Sequence, residues 1–128
     1  MKKIIQTDLA PKAVGPYSQA VRMGDFLFCS GQISIDPKTQ EVFIGDIKKQ
    51  TEMVMNNIEA ILKTTDLNFS HIIKTTIFLT NMSDFSSVNE IYSKRFVSDP
   101  PARSTVAVVG LPKGVNVEIE VIASFGAN

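Results

Sequence analysis

The sequence has one cysteine, one histidine and no tryptophan among its 128 residues. A single cysteine, Cys29, cannot form a disulfide within the chain, and its isolation agrees with a reducing compartment. Zinc and iron sites need several nitrogen, sulfur or carboxylate ligands at short spacing, and the sequence contains no such cluster. We therefore expect neither a disulfide nor a metal site.

Charge of one sign and long apolar runs are also missing. Lys and Arg balance Asp and Glu, so the formal net charge is zero, and no block of basic residues stands out. This balance gives no general electrostatic reason to expect a polyanionic partner. No apolar stretch approaches the length of a membrane span, and the N-terminal residues lack the apolar core of a signal peptide. These absences predict a cytoplasmic protein that binds neither nucleic acid nor membrane.

The hydrophobic content, 44% of 128 residues, is enough for one globular domain over 1–128 with a real core. Turn signals and periodicity predict the order β-β-α-β-α-β-β. The elements are two strands within 18–35 that turn at 23–25, a helix over 46–64, a strand over 71–80, a helix over 82–97, and strands over 104–110 and 116–124. The resulting fold class is α+β, a mixed sheet with two helices on one face.

Capping residues and apolar stripes support both helices and the middle strand. Asp46 is the expected N-cap of the first helix, and Ser83 or Asp84 that of the second. The predicted apolar stripes are Val54, Ile58, Ile61 and Leu62 with Ile47 and Thr51 in the first helix, and Phe85, Val88, Tyr92 and Phe96 in the second. In the strand, Ile73, Thr75, Ile77 and Leu79 are predicted to share one face.

Two strand segments are apolar on both sides. FLFC at 26–29 and VAVV at 106–109 show no polar alternation. Strands of this kind need cover on both faces of the sheet, and two helices can cover only one. The sequence therefore predicts an oligomer in which another copy covers the bare sheet face.

A single arginine interrupts the stretch PPARSTV at 100–106, where two prolines precede an apolar strand. Most arginines in such positions make exposed ion pairs, and this is the default interpretation of Arg103. The alternative is functional, because a guanidinium between stiff prolines and a buried strand is suited to pair with a carboxylate or phosphate.

The strand VEIEVIA at 117–123 raises a similar choice, because Glu118 and Glu120 share one of its faces. The default interpretation is a solvated face, and the functional one is a general acid or base, or a carboxylate that holds water. Other polar candidates have neutral explanations: a bulge at Gly31, packing for Tyr17, a core position for Cys29, a surface amide for Asn89 and a capping or surface role for His71.

Several longer segments resemble one known family. PPARSTVAVVGLPKGVNVEIEVIA at 100–123 closely resembles the C-terminal signature of the RidA (YjgF) family. The segments APKAVGPYSQAV at 10–21, SGQI at 30–33 and DFSSVNEIYSKRF at 84–96 resemble its other motifs with matching spacing. By contrast, the sequence has no phosphate loop, nucleophile elbow, metalloprotease helix or dinucleotide fingerprint.

The resemblance implies a fold, an assembly and an activity. Members of this family are similar to chorismate mutase in fold and form homotrimers, with helices outside a central barrel and active sites between neighbouring subunits. The implied activity is hydrolysis of reactive enamines and imines, above all 2-aminoacrylate, to 2-oxo acids and ammonia, without a cofactor. Such intermediates escape from pyridoxal-phosphate enzymes.

The resemblance also assigns roles to individual residues of this sequence. Arg103 matches the arginine that binds the substrate carboxylate, and Glu118 matches the carboxylate that orients water or moves protons. The residues implied to line the same cleft are Tyr17, Ser30, Gly31, Phe85, Asn89 and Thr105. Thr105 stands where many members have a cysteine, so we expect water-based hydrolysis to survive and thiol-dependent functions to be lost.

Two other function classes compete with the deaminase. A regulatory module could bind a carboxylated metabolite in the same cleft, although Glu118 beside an anionic ligand argues against simple binding. The family has also been associated with an RNA-cleaving inhibitor of translation. The neutral net charge and the lack of a basic patch argue against that activity here.

Overall fold

The computed structural model describes residues 1–127, which form one mixed sheet and two α-helices. The strands are β1 (Lys3–Ile5), β2 (Ala20–Met23), β3 (Phe26–Gln32), β4 (Ile72–Leu79), β5 (Ala102–Ala107) and β6 (Val117–Ser124), and the helices are α1 (Ile47–Thr64) and α2 (Phe85–Ser93). Their order across the sheet is β1-β2-β3-β6-β4-β5. β4 and β5 pair in parallel and the other neighbours are antiparallel. The predicted α+β class is confirmed.

Alternation along β6 shows how the sheet acquires two different faces. Its buried residues are Val117, Ile119, Val121 and Ala123, and the residues between them lie on the opposite face. The buried set belongs to one hydrophobic core with residues of both helices, including Val54 and Ile58 of α1 and Val88 of α2. The two helices therefore cover the same face of the sheet, as the sequence predicts.

The helix ends confirm one predicted cap and correct the other. Asp46 caps α1 by accepting a hydrogen bond from the Lys49 amide at 2.9 Å. The expected cap of α2 is wrong, because the Asp84 side chain makes no capping bond and Ser83 lies inside a short 3-10 turn. Asn81 caps that turn instead, since its Oδ1 accepts from the Ser83 amide. The helix is consequently shorter than predicted at both ends.

Three strand predictions also need correction. β1 was not predicted, because three residues are too few to show a period. β5 occupies Ala102–Ala107 rather than 104–110, so it begins directly after the two prolines, which hold the chain extended. A register shift between Ile72 and Lys74 buries Ile72 and leaves Ile73 39% exposed, contrary to the prediction that Ile73 shares a face with Thr75 and Ile77.

The sheet face without helices carries exposed apolar side chains, and we call it the open sheet face. Strand pairing places five such residues on it, Ile4, Met23, Phe26, Phe28 and Val106, each more than 40% exposed. In β3, Phe26 and Phe28 alternate with the buried Leu27 and Cys29. The segment 26–29 is therefore apolar on both sides, as predicted. Cover by another copy of the chain stays a prediction.

The single cysteine and the single histidine both have structural roles. Cys29 is buried in the core, and burial raises the pKa of its thiol to about 12. His71 completes a capping box, because its Nδ1 accepts from the Asn68 amide at 3.1 Å. Within residues 1–127, no three His, Cys, Asp or Glu side chains are grouped to hold a metal ion. None of the helices described is long and apolar enough to cross a membrane.

Candidate active site

Arg103 lies near the start of the edge strand β5, on the face that carries the helices. Its Nη1 donates to Oδ1 of Asn89 at 2.7 Å. Its guanidinium carbon lies 5.2 Å from the ring centroid of Tyr92 and 5.3 Å from that of Phe85, distances at which aromatic rings attract cations. No carboxylate among residues 1–127 forms a salt bridge with it. Neutral groups thus position the guanidinium and leave its charge available to an anion.

Tyr92 is a supporting residue that the sequence placed only in the core stripe. Its ring lies against the guanidinium of Arg103, and its hydroxyl shares a 2.7 Å hydrogen bond with Oγ1 of the buried Thr75. Burial raises the pKa of the Tyr92 phenol, so the hydroxyl stays protonated at neutral pH. The spacing of Phe85, Asn89 and Tyr92 along α2 puts all three beside Arg103. That spacing was the signal in the sequence for this additional role.

A cavity of about 410 Å³ opens beside the guanidinium, and we call it the Arg103 cavity. Its lining residues are Asn89, Tyr92, Ser93, Phe96, Pro100, Pro101 and Arg103. Thr105 follows two residues along the same face of β5, and its Oγ1 is buried without a hydrogen-bond partner among the described residues. A buried hydroxyl left unpaired costs about 1–3 kcal/mol, so a partner from outside the chain is expected at this position.

Glu118 forms a second centre on β6, where its side chain lies over Gly31. A Cβ atom added to Gly31 would lie 2.8 Å from Cδ of Glu118, so any side chain there would displace the carboxyl group. Gly31 falls within the irregular register between Cys29 and Gln32, which agrees with the predicted bulge. Partial burial, and secondarily the charge of Glu120, raises the pKa of Glu118. The structure therefore holds a carboxyl group that ionises less readily than usual.

The Glu118 carboxyl borders a cavity of about 620 Å³, which we call the Glu118 cavity. Tyr17, Ser30 and Gly31 line it, together with a largely apolar wall that includes Val14, Ile33, Ile35 and Pro112. The Ser30 hydroxyl donates its proton to the Ser18 carbonyl at 2.6 Å. Its oxygen can therefore only accept a further hydrogen bond, such as one from an N–H group.

Strand register shows that the two centres lie on opposite faces of the sheet. Arg103 pairs with Thr75 in β4, and Thr75 pairs with the buried Val121 in β6, so all three point toward the helices. Glu118 occupies the alternate position of β6 and points to the open sheet face. A ligand within one chain cannot contact both charged groups directly.

The predicted site residues consequently form two groups. Phe85, Asn89, Arg103 and Thr105 belong to the first, and Tyr17, Ser30, Gly31 and Glu118 belong to the second. Each group borders a cavity of its own. This separation is compatible with the expectation of a cleft between subunits, because a second copy could bring one group against the other.

Comparison with known proteins gives the same family along nearly the whole chain. The family model described as Endoribonuclease L-PSP, which represents the RidA (YjgF) family, matches residues 7–125. The chain belongs to the RidA family. Protein DfrA of Myxococcus xanthus is 52% identical, over 95% of this chain and 95% of that protein. The 2-iminobutanoate/2-iminopropanoate deaminase of Mus musculus is 40% identical, over 98% of this chain and 93% of that protein.

A similar solved structure confirms the fold. The crystal structure of E. coli TdcF with bound serine superposes with a TM-score of 0.90 at 42% identity, covering 95% of this chain and 98% of that one. The mixed sheet with two helices on one face is therefore the RidA fold.

The Gly31→Ala variant tests whether the close contact at Glu118 matters for activity. The three atoms nearest the new methyl group all belong to the flexible Glu118 side chain, so we expect a folded protein with a small change in melting temperature. The carboxyl must move, and if Glu118 acts in catalysis, as the family resemblance implies, a small displacement lowers turnover by about a hundredfold. Deaminase assays and thermal melts, with Gly24→Ala in an exposed turn as the strain control, measure both effects. Unchanged turnover would show that Glu118 tolerates displacement.

Proposed function

We propose that this protein hydrolyses small carboxylated enamines and imines of the 2-aminoacrylate type to 2-oxo acids and ammonia. The observation that carries this proposal is the pair of charged centres. One is a guanidinium that neutral groups position without neutralising it, and the other is a partly buried carboxyl with a raised pKa. The imine deaminase among the relatives supports the reaction class, and the bound serine in the TdcF structure supports a carboxylated ligand.

The proposed chemistry needs only water and proton transfer. The enamine first takes a proton on its terminal carbon to become the iminium, whose carboxylate pairs with Arg103 through two hydrogen bonds. Glu118 accepts a proton from water as the water oxygen bonds to the imine carbon, and the C=N electron pair moves to nitrogen. Glu118 then returns the proton to nitrogen, the C–N bond breaks and ammonia leaves. The hydroxyl oxygen gives up its proton to solvent as the carbonyl forms, which balances the proton that the enamine took from solvent. The acceptor oxygen of Ser30 is suited to hold an N–H during these steps.

We further propose that the complete site lies between two copies of the chain in a homotrimer. Arg103 and Glu118 lie on opposite faces of the sheet, so both can act on one substrate only if neighbouring copies supply them. The exposed apolar residues of the open sheet face and the unpartnered hydroxyl of Thr105 both call for contacts from outside the chain.

Substituting Phe28 with glutamate tests this assembly. Phe28 lies on the open sheet face and is 46% exposed in the isolated chain. A charge buried between subunits is strongly destabilising, so we expect Phe28→Glu to be monomeric and inactive while it remains folded. Ile44→Glu is the matched control, because Ile44 is an exposed apolar residue outside the sheet. Light scattering reports the mass of each variant, and a trimeric Phe28→Glu protein would contradict the proposed interface.

The reaction is tested by generating 2-aminoacrylate from serine with a dehydratase and measuring ammonia or 2-oxo acid release. We expect wild type to accelerate release and the Arg103 and Glu118 variants to lose that acceleration. A folded, oligomeric wild type without acceleration would refute the deaminase for this substrate and favour a metabolite-binding module. RNA cleavage that persists in Arg103→Ala and Glu118→Ala proteins, and follows the protein through purification, would favour the ribonuclease instead.

A further inference from the structure

Gln19 is a buried glutamine immediately before β2, and neither the sequence motifs nor the comparisons assign it a role. It lies where the irregular 7–18 segment joins the sheet, and it is only 4% exposed. That segment carries Pro11, Val14 and Tyr17, which form one wall of the Glu118 cavity. Because the segment has no helix or strand of its own, something else must hold this wall in place.

The Gln19 side chain makes four hydrogen bonds to the backbone of this segment. Its Oε1 accepts from the Thr7 amide at 2.7 Å, and its Nε2 donates to the Thr7 carbonyl at 3.0 Å. The same Nε2 donates to the Pro11 carbonyl at 2.7 Å and lies 3.3 Å from the Ala10 carbonyl. One amide group thus pairs with Thr7 in both directions, as a strand neighbour would, and also fixes the chain where the cavity wall begins.

Backbone hydrogen bonds beside Gln19 extend to the side of the cavity that holds Glu118. The Gln19 carbonyl accepts from the Ser30 amide at 2.9 Å, and the Ser18 carbonyl accepts from the Ser30 hydroxyl. Gly31 follows directly and lies under the Glu118 carboxyl. A continuous set of hydrogen bonds therefore runs from the loop at Thr7 through Gln19 to the residues that surround Glu118.

We infer that Gln19 is a positioning residue that holds the Tyr17 wall against Glu118, and this inference rests on the proposed deaminase function. The side chain needs both a donor and an acceptor at the end of two methylene groups. Glutamate would place a charged oxygen against three carbonyl oxygens, and methionine would fill the volume without any of the four hydrogen bonds. Gln19 itself borders the cavity, but its side-chain amide bonds to the backbone of Thr7, Ala10 and Pro11, so it acts through the position of Tyr17 and Ser30.

The first readout is local and independent of activity. Trypsin cleaves after Lys12, which is exposed but lies within the segment that Gln19 holds. We expect cleavage at this bond to be at least about tenfold faster in Gln19→Met than in wild type, because cleavage follows the population of the opened segment. Gln50→Met is the matched control, since Gln50 is also buried and its side chain bonds to Gly45 and Asn116, outside the 7–18 segment. It is expected to leave the Lys12 bond protected.

The second readout is a double-mutant cycle on the deamination rate. We expect Gln19→Met to lower kcat/KM by about tenfold in the wild-type background and by less than about twofold in a Tyr17→Ala background, because residues that act through one another are not additive. A general loss of stability would lower kcat/KM by the same factor in both backgrounds. Additive effects would therefore overturn the inference. Gln19→Met kinetics within twofold of an active wild type also overturn it, as does an unchanged rate of cleavage after Lys12. An inactive wild type refutes the proposed function itself, and this is seen before any variant is compared.

Discussion

Arg103→Ala is expected to lower kcat/KM for 2-aminoacrylate hydrolysis by at least about a hundredfold, because hydrogen bonds to a charged group contribute about 1.5–3 kcal/mol each. The folded chain should change little, since the residue is exposed and its side chain bonds only to Asn89 among the described residues. Steady-state kinetics, thermal melting and light scattering together separate lost substrate binding from lost structure.

Arg95 provides a matched control for this substitution. It also lies over an aromatic ring, 5.2 Å from the centroid of Phe69, and it also donates to an asparagine, Asn56. Unlike Arg103, it is already paired with a carboxylate, that of Glu52 at 2.8 Å. We expect Arg95→Ala to retain deaminase activity. Arg103→Lys should recover only part of the activity, because an ammonium is a point charge without the planar fork. An active Arg103→Ala enzyme, or one that falls to monomers, would contradict the assigned role.

Glu118→Gln is expected to lower kcat by about a hundredfold to ten-thousandfold, the range in which positioned acid–base groups contribute. KM should change much less, because the variant retains Arg103, the proposed carboxylate-binding group. The pKa of Glu118 is raised in the folded state, so folding favours its protonated form. Its contribution to stability is therefore present at low pH and is lost as the pH rises through the raised pKa. Removing the charge should leave the melting temperature at neutral pH unchanged or slightly higher.

The same raised pKa predicts the pH profile of the wild type. Activity should fall on the acidic side as Glu118 becomes protonated, at a pH above the ordinary range of a glutamate. Glu120→Gln is the control on the same strand face. Because the charge of Glu120 contributes to the shift, this variant should remain active and move the acid limb of kcat to lower pH. A Glu118→Gln enzyme with wild-type kcat would remove Glu118 from the mechanism.

Mixing the two inactive variants tests whether one site draws on two chains. In the proposed ring of three, each mixed trimer of Arg103→Ala and Glu118→Gln chains would have one junction where an intact Arg103 meets an intact Glu118. Unfolding and refolding an equal mixture should therefore restore about a quarter of the wild-type activity, whereas either variant alone stays inactive. If verified mixed trimers recover no activity, Arg103 and Glu118 do not meet across a subunit boundary in the way proposed.

The sequence predicts those parts of the fold that follow from local periodicity. The alternation in β6, the helix capped by Asp46 and the two-sided apolar strand at 26–29 all depend on neighbouring residues, and all are confirmed. The bulge that exposes Ile73 depends on pairing with a strand far along the chain. Local patterns carry no information about such pairing, so the position of Ile73 could not be predicted.

The sequence predicted the main residues of the candidate site but not how they are arranged. Arg103 and Glu118 attract notice as charges beside apolar strands, and the family resemblance added the residues around them. That the two lie on opposite faces follows only from the order of β6, β4 and β5 in the sheet. The supporting roles of Tyr92 and Gln19 were also missed. Sequence patterns identify a buried tyrosine or glutamine only as a core residue, and its role becomes clear once its hydrogen-bond partners are known.

The burial of Cys29 has a consequence for the behaviour of the protein toward oxidants and alkylating reagents. Its thiol is the only one in the chain, and with a pKa of about 12 it forms almost no thiolate at neutral pH. Peroxide and maleimides react with cysteine through the thiolate, so Cys29 in the native fold is expected to resist both. A cysteine introduced at an exposed position such as Val109 would then be the one reactive thiol in each chain, which permits a probe or cross-link to be attached at a chosen point.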